Sequence, residues 1–232
     1  MPCNPIGCAS PDASLSGRHA SPARCLLPVA YLPPVEWFAC LLNGEAEIEV
    51  CDHYVKQTYR NRCHIATPNG VQPLTIPVTH DGRTAISDQA SWRHTHWNAL
   101  VSAYRMSPFF EYYADDLHPF YAIPRTESLY DYDLALVRTI LRLMHIPVEI
   151  HLSSRYRTTA DCLAEGITDL RDLIHPKRPP LSPTATYYQV FRDRLGFLPN
   201  LSIIDLLFNM GPESILILNK LTPLRKLENS RI

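Results

Sequence analysis

Among the seven cysteines Cys3, Cys8, Cys25, Cys40, Cys51, Cys63 and Cys162 there is no C-x-x-C pair. An odd number in a chain of 232 residues, which is long enough to build its own core, predicts reduced thiols rather than a disulfide framework. It also leaves a zinc site without the paired spacing it needs, so no metal is expected. A basic excess is missing as well: 22 Lys and Arg face 23 Asp and Glu, for a net charge of −1. That balance argues against a DNA-binding protein, so any anion site has to be local. No apolar run approaches the ~20 residues that span a bilayer. No hydrophobic signal-peptide centre occurs at the N-terminus, and the expected location is cytoplasmic. Glycine is scarce, at 8 residues, and no Walker loop, dinucleotide Gly fingerprint, G-x-S-x-G elbow or H-E-x-x-H motif is present.

What is present is apolar material in ordinary amount, 46% of residues, which predicts one folded domain. Residues 1–25 are rich in Pro, Ser, Ala and Cys and are expected to be a disordered extension. The domain is expected over 26–220, followed by a frayed tail at 221–232. Leu26 to Tyr31 is short, apolar and followed by proline, as a buried strand would be. Pro33-Pro34 leads into a helix at Val35–Leu42, and Asn43-Gly44 ends it. Ala46, Ile48 and Val50 then alternate with Glu45, Glu47 and Glu49, which predicts a strand with an acidic, wetter face. Together these segments form a βαβ opening.

Cys63–Ala66 and Gln72–Val78 flank Thr67-Pro68-Asn69-Gly70 and read as a β-hairpin. Trp97, Leu100, Val101 and Tyr104 follow helical spacing, and Asp133–His145 is a helix carrying Leu136, Val137, Ile140, Leu141 and Met144 on one face. Pro147–Leu152 predicts a closing strand, and prolines 176, 179, 180 and 183 predict a loop. Near the end, Ser202 with Asp205 three positions on resembles a helix cap. The expected fold is a single α/β domain with a mixed sheet, a βαβ opening, a β-hairpin and a helical second half.

The most suggestive chemistry lies in Lys56-Gln57-Thr58-Tyr59-Arg60-Asn61-Arg62. Read as an extended strand, it sets Lys56, Arg60 and Arg62 on one side and Gln57 and Asn61 on the other. The cations would cover about 20 Å at about 3.3 Å per residue. Guanidinium groups suit phosphate or carboxylate, so the expected partner is a small-molecule sugar or phosphate-containing ligand, such as a diphosphate or an acidic sugar. The competing reading pairs these cations with Glu45, Glu47 and Glu49 across the sheet as a solvated charge stripe. Asp52-His53 follows the acidic strand at a strand end, where α/β proteins place working groups. His94 and His96, between Trp92 and Trp97, share a face only if extended. At a helix start they separate, which suits packing or a single base better than a metal. Asp205 is a further catalytic candidate, with capping as its structural alternative. Ser153-Ser154 and Tyr187-Tyr188-Gln189 are polar sites with no evident purpose.

Four ordered segments are similar to the WbqC-like family: Tyr31–Phe38, Lys56–Cys63, Leu74–Val78 and Leu201–Gly211. The similarity runs from about Val29 to Leu218. The family takes its name from a gene of bacterial O-antigen clusters. The resemblance therefore implies surface-polysaccharide synthesis and a transferase passing an acyl, aminoacyl or glycosyl group to a nucleotide-linked or amino sugar. On that view Lys56, Gln57, Arg60, Asn61 and Arg62 bind substrate, while His94, His53 and Asp205 are the catalytic candidates. The cofactor and the oligomeric state are left open. The alternative is a non-catalytic protein that binds a pathway enzyme through Phe109, Phe110, Tyr112 and Tyr113. An exposed aromatic patch would favour it; Arg60, Arg62 and Asp205 lining one pocket would favour the enzyme.

Overall fold

The structure is a computed structural model that describes residues 23–79, 84–87, 91–122, 128–183 and 185–224. The expected N-terminal extension lies almost wholly outside the described residues. In chain order the elements are β1 (Arg24–Pro28), α1 (Val35–Asn43), β2 (Glu45–Glu49), β3 (Arg62–Thr67), β4 (Gly70–Thr75), β5 (Val78–Thr79), β6 (Ala85–Ile86) and α2 (Trp92–Tyr104). There follow α3 (Phe110–Leu117), α4 (Pro119–Ala122), α5 (Leu129–Leu143), β7 (His151–Leu152), α6 (Thr159–Ala164), β8 (Thr168–Asp169), α7 (Arg192–Leu195), α8 (Ile203–Met210) and α9 (Ser214–Lys220).

The predicted βαβ unit is present. β1 and β2 pair in parallel, Arg24 opposite Glu45 through Pro28 opposite Glu49, with α1 between them in the chain. α1 is buried from Val35 to Leu41, because one side faces the sheet and the other meets α8 and α9. Even its acid is inside. The Glu36 carboxylate accepts hydrogen bonds from the Leu181 N–H at 2.8 Å and the Asn200 side chain at 2.7 Å. Burying Trp37 and Phe38 there contributes about 1.5–3 kcal/mol each.

Gly44 ends α1 as expected, but not for the usual torsional reason. Its φ of −138° is extended backbone. A Cβ at this position would lie 2.7 Å from the Ala23 carbonyl and 2.6 Å from Leu224 Cδ1. The leucine can yield; the carbonyl cannot, since it accepts the Glu45 N–H at 3.1 Å. Gly44→Ala is therefore expected to lose about 1–3 kcal/mol of stability, seen as a lower urea midpoint at unchanged slope.

The main sheet is parallel throughout, in the order β7-β2-β1-β8. Antiparallel pairing occurs in separate ribbons, β3 with β4 and β5 with β6. In the first, Pro68-Asn69 forms the loop and Gly70 opens β4 at φ 110°, a conformation that favours glycine. Numbered along the chain, the strands of the main sheet run 3-2-1-4, so the winding reverses between β1 and β8. The predicted closing strand shrinks to His151–Leu152 at the β2 edge.

The long helices are where the periodicity put them. α5 starts earlier than expected, because Ser128 caps it by accepting from the Tyr130 N–H at 3.3 Å. Leu136, Val137, Ile140, Leu141 and Met144 are all buried. α2 buries a face centred on Trp92, His96, Leu100 and Tyr104. Leu221 and Leu224, within the stretch expected to fray, are buried against the core. Cys25, Cys40, Cys63 and Cys162 are buried free thiols, while Cys51 is exposed.

Candidate functional site

The carboxyl ends of β2, β7 and β8 bring several ionisable groups together. Glu49, at the end of β2, is fully buried. Its carboxylate accepts from the Ser153 hydroxyl at 2.6 Å and from the Cys51 N–H at 2.8 Å, and it meets Arg171 Nη1 at 3.4 Å. Arg171, just past β8, also clasps Asp169 with two bonds, Nε to Oδ1 at 2.9 Å and Nη2 to Oδ2 at 2.7 Å. All three of its nitrogens are thus occupied, and its guanidinium carbon lies 5.1 Å from the Tyr156 ring centre. Burial works to raise the Asp169 pKa, but the bonds and charge of Arg171 outweigh it and hold the carboxyl below its ordinary value.

Arg60 is in a different position. It is 3% exposed and its Nη2 pairs with Asp52, which also accepts from the Tyr130 hydroxyl at 2.9 Å. Nε and Nη1 find no acceptor among the described residues. A buried guanidinium with more donors than acceptors is costly unless something supplies the missing partner. Arg60 lines a cavity of about 170 Å³ together with Asp52, His53, Tyr156, Arg171 and Asp172. Beside it, the His175 pKa is lowered first by burial, then by the charges of Lys177 and Arg178, with a smaller contribution from Arg60. The surroundings of that ring are therefore cationic despite Asp172.

The extended reading of the basic segment is overturned. Residues 56–61 are turns, and the strand begins at Arg62. Gln57 takes φ 61°, the Thr58 hydroxyl donates to the Val55 carbonyl at 2.8 Å, and Tyr59 carbonyl accepts from the Tyr31 N–H at 2.9 Å. These bonds curl the backbone and destroy the alternation. Lys56 is exposed, as is Gln57, which accepts from Lys177 at 2.8 Å. Asn61 latches the hairpin by donating to the Ile76 carbonyl at 2.8 Å, and Arg62 donates to the Thr75 hydroxyl at 3.0 Å. Gln57, Asn61 and Arg62 are thus each engaged by a group of the protein itself.

The acidic strand does not neutralise the basic segment either. β2 lies between β1 and β7, and its acids take cations from far along the chain: Glu47 pairs with Arg157 at 2.9 Å and Glu49 with Arg171. Of the three catalytic candidates, His53 alone lines the Arg60 cavity. His94 is exposed on α2 and bonds Asn98 at 2.8 Å. Its neighbour His96 is buried against the Tyr31 hydroxyl at 2.9 Å, and burial pushes its pKa down to about 4.

Asp205 is not the reciprocal partner of a Ser202 cap. Ser202 does cap α8, through the Ile204 N–H at 3.3 Å. The Asp205 side chain is fully buried and instead accepts from the Tyr187 hydroxyl at 2.6 Å and Gln189 at 2.8 Å. Burial raises its pKa to about 6, against the lowering effect of those bonds. Asp205 and Arg62 do not line the Arg60 cavity. Nor do the aromatics form a docking face: Phe110 and Tyr113 are buried, and of the four residues Tyr112 is the exposed one. Asp52 apart, the acids and arginine that complete the cavity escaped the sequence reading. The run Ile167-Thr168-Asp169-Leu170-Arg171, a short strand closing on an acid and a base, was the available signal.

A parallel sheet that reverses its winding, flanked by helices and with ionisable groups gathered at its carboxyl ends, defines an α/β protein. The chain belongs to the WbqC-like protein family, whose model matches residues 29–175. This span contains every residue lining the Arg60 cavity and stops short of α8. A curated relative, "Uncharacterized protein Rv1507c" of Mycobacterium tuberculosis, is 30% identical over 190 residues, covering 69% of this chain and 81% of that protein. No solved structure matches the chain. Among the described residues no helix is long and apolar enough to cross a membrane, and no group of three or more His, Cys, Asp or Glu is placed to hold a metal ion.

Proposed function

We propose that the protein is a transferase acting on a phosphate-bearing, nucleotide-linked or amino sugar in surface-polysaccharide synthesis, with the phosphate held by Arg60. The observation that carries the reading is the buried guanidinium of Arg60, with two nitrogens lacking an acceptor, in the wall of a cavity at the carboxyl edge of the parallel sheet. Phosphate oxygens accept such donors well, and the dry surroundings strengthen each bond. His53, exposed on the same cavity wall, is the base that takes a proton from the acceptor amine or hydroxyl. The polysaccharide setting rests on family membership alone.

A thermal-shift screen with UDP- and dTDP-sugars, acyl-coenzyme A and aminoacyl-tRNA tests this. A ligand at a hundred times its Kd is expected to stabilise the protein by about 2.7 kcal/mol, a rise of several degrees in Tm. His53→Ala is expected to keep that shift and to slow turnover of the identified substrate by about 10²–10⁴-fold. Folded protein whose Tm none of these compounds moves would end the transferase reading.

A further inference from the structure

We propose that the Arg60 cavity is one half of a two-part site, and that its ligand is a phosphate ester carrying a short alkyl or acyl chain. The phosphate sits at Arg60 and the chain enters an adjoining apolar cavity walled by Cys162, Leu163, Ile167 and Leu173. The inference rests on the anion-site reading of Arg60 and extends it to the other end of the ligand.

The second cavity measures about 290 Å³, close to the lower end of ordinary ligand pockets at roughly 300 Å³. It adjoins the first, and Thr159, Asp169 and Asp172 line both. Its origin lies in the packing. Leu26, Cys162 and Ile167 form a small buried cluster separate from the main core, and the short α6 leaves space between that cluster and Leu173. Leu163 stands in the wall of this space and is 76% exposed. A single exposed leucine is ordinary. A leucine beside Ile167 and Leu173 in a cavity is apolar surface that a hydrocarbon chain would take out of water.

The groups that line the two cavities set the order of the two parts. Both Asp169 oxygens are engaged by Arg171, so they ask for no ligand donor. Asp172 borders both cavities and favours neither order; the inserted end is uncharged because Cys162, Leu163, Ile167 and Leu173, which would receive it, are apolar. At the far side Arg60 brings a buried guanidinium with two nitrogens that lack acceptors among the described residues, while the exposed Arg178 stands in the lining of the second cavity. A phosphate head with an uncharged tail satisfies both halves.

Calorimetric titration of the full chain with inorganic phosphate, butyl phosphate, hexyl phosphate, hexanol and hexanoyl-coenzyme A tests the proposal. Affinity is expected to rise about fourfold for each methylene buried, from phosphate through the butyl to the hexyl ester, with no binding of hexanol. Hexanoyl-coenzyme A binding more tightly than hexyl phosphate identifies a thioester carrier as the source of the chain; weaker binding identifies a simple phosphate ester, and both support the two-part site. Leu163→Glu, a change at an exposed position, is expected to flatten the chain-length dependence while leaving phosphate binding intact. Equal affinity for phosphate and its alkyl esters would overturn the apolar half and leave the Arg60 reading standing. Failure of every compound, phosphate included, would remove both.

Discussion

Replacing Arg60 with leucine is expected to lower the unfolding free energy by about 3–5 kcal/mol, because it strands a buried carboxylate. The side chains of Arg60 and Asp52 are 3% and 6% exposed, so neither partner can turn to water when the other is removed. Asp52→Leu is expected to cost a similar amount: the remaining guanidinium loses its one acceptor, and the Tyr130 hydroxyl loses its own. The double variant Arg60→Leu/Asp52→Leu is expected to recover much of the loss, since a buried pair can often be exchanged for apolar residues at little net cost. Urea unfolding of the four proteins gives the coupling directly, and about 2–3 kcal/mol is expected. Losses that simply add would show that the two charges are independent. The double variant also separates stability from binding. It is expected to fold and yet give no thermal shift with phosphate-bearing ligands, which a purely structural role for Arg60 would not produce.

The second large effect is in the pH dependence of stability. The Asp205 pKa is raised from 3.8 to about 6 in the fold, so between these values the native state holds a proton that the unfolded chain has released. Stability from this group is present at low pH and is lost as pH rises through about 6, by about 3 kcal/mol in all. His96 acts in the opposite sense. Its pKa falls from 6.5 to about 4, so in that window the unfolded chain binds the extra proton and stability rises with pH, again by about 3 kcal/mol. The two windows overlap and the slopes nearly cancel in the native protein. Asp205→Asn is expected to unmask the histidine and make stability climb between pH 4 and 6 relative to the native protein. His96→Gln is expected to do the reverse over the same range. Urea midpoints taken across that range decide the matter, and parallel profiles for all three proteins would refute both assignments.

Local signals explain what was legible beforehand. α1, the acidic β2, the hairpin and α5 each carry a short-range pattern, and each formed within a few residues of its expected bounds. The basic segment failed because alternation is meaningful only where a neighbouring strand holds the backbone extended. Residues 56–61 have no such neighbour in the ladder pattern, and the Thr58 side chain bonds its own backbone instead. Asp205 was misread for a related reason. A cap is inferred from spacing within one helix, whereas its partners Tyr187 and Gln189 arrive from a separate loop.

By itself, then, the sequence determined the class of fold, the βαβ opening, the buried thiols and the basic stretch that holds Arg60. It could not rank Arg60 above Arg62, Arg157 or Arg171, since that order depends on which acids reach which cations. Arg157 is claimed by Glu47 and Glu165, Arg171 by Glu49 and Asp169, and Arg62 by the hairpin. Two of these partners, Glu47 and Glu49, are set by strand order and burial, which bring them to arginines 110 and 122 residues away. The tertiary structure left Arg60 with one carboxylate and two nitrogens without acceptors among the described residues, because the reversal of winding puts its cavity where the parallel strands end.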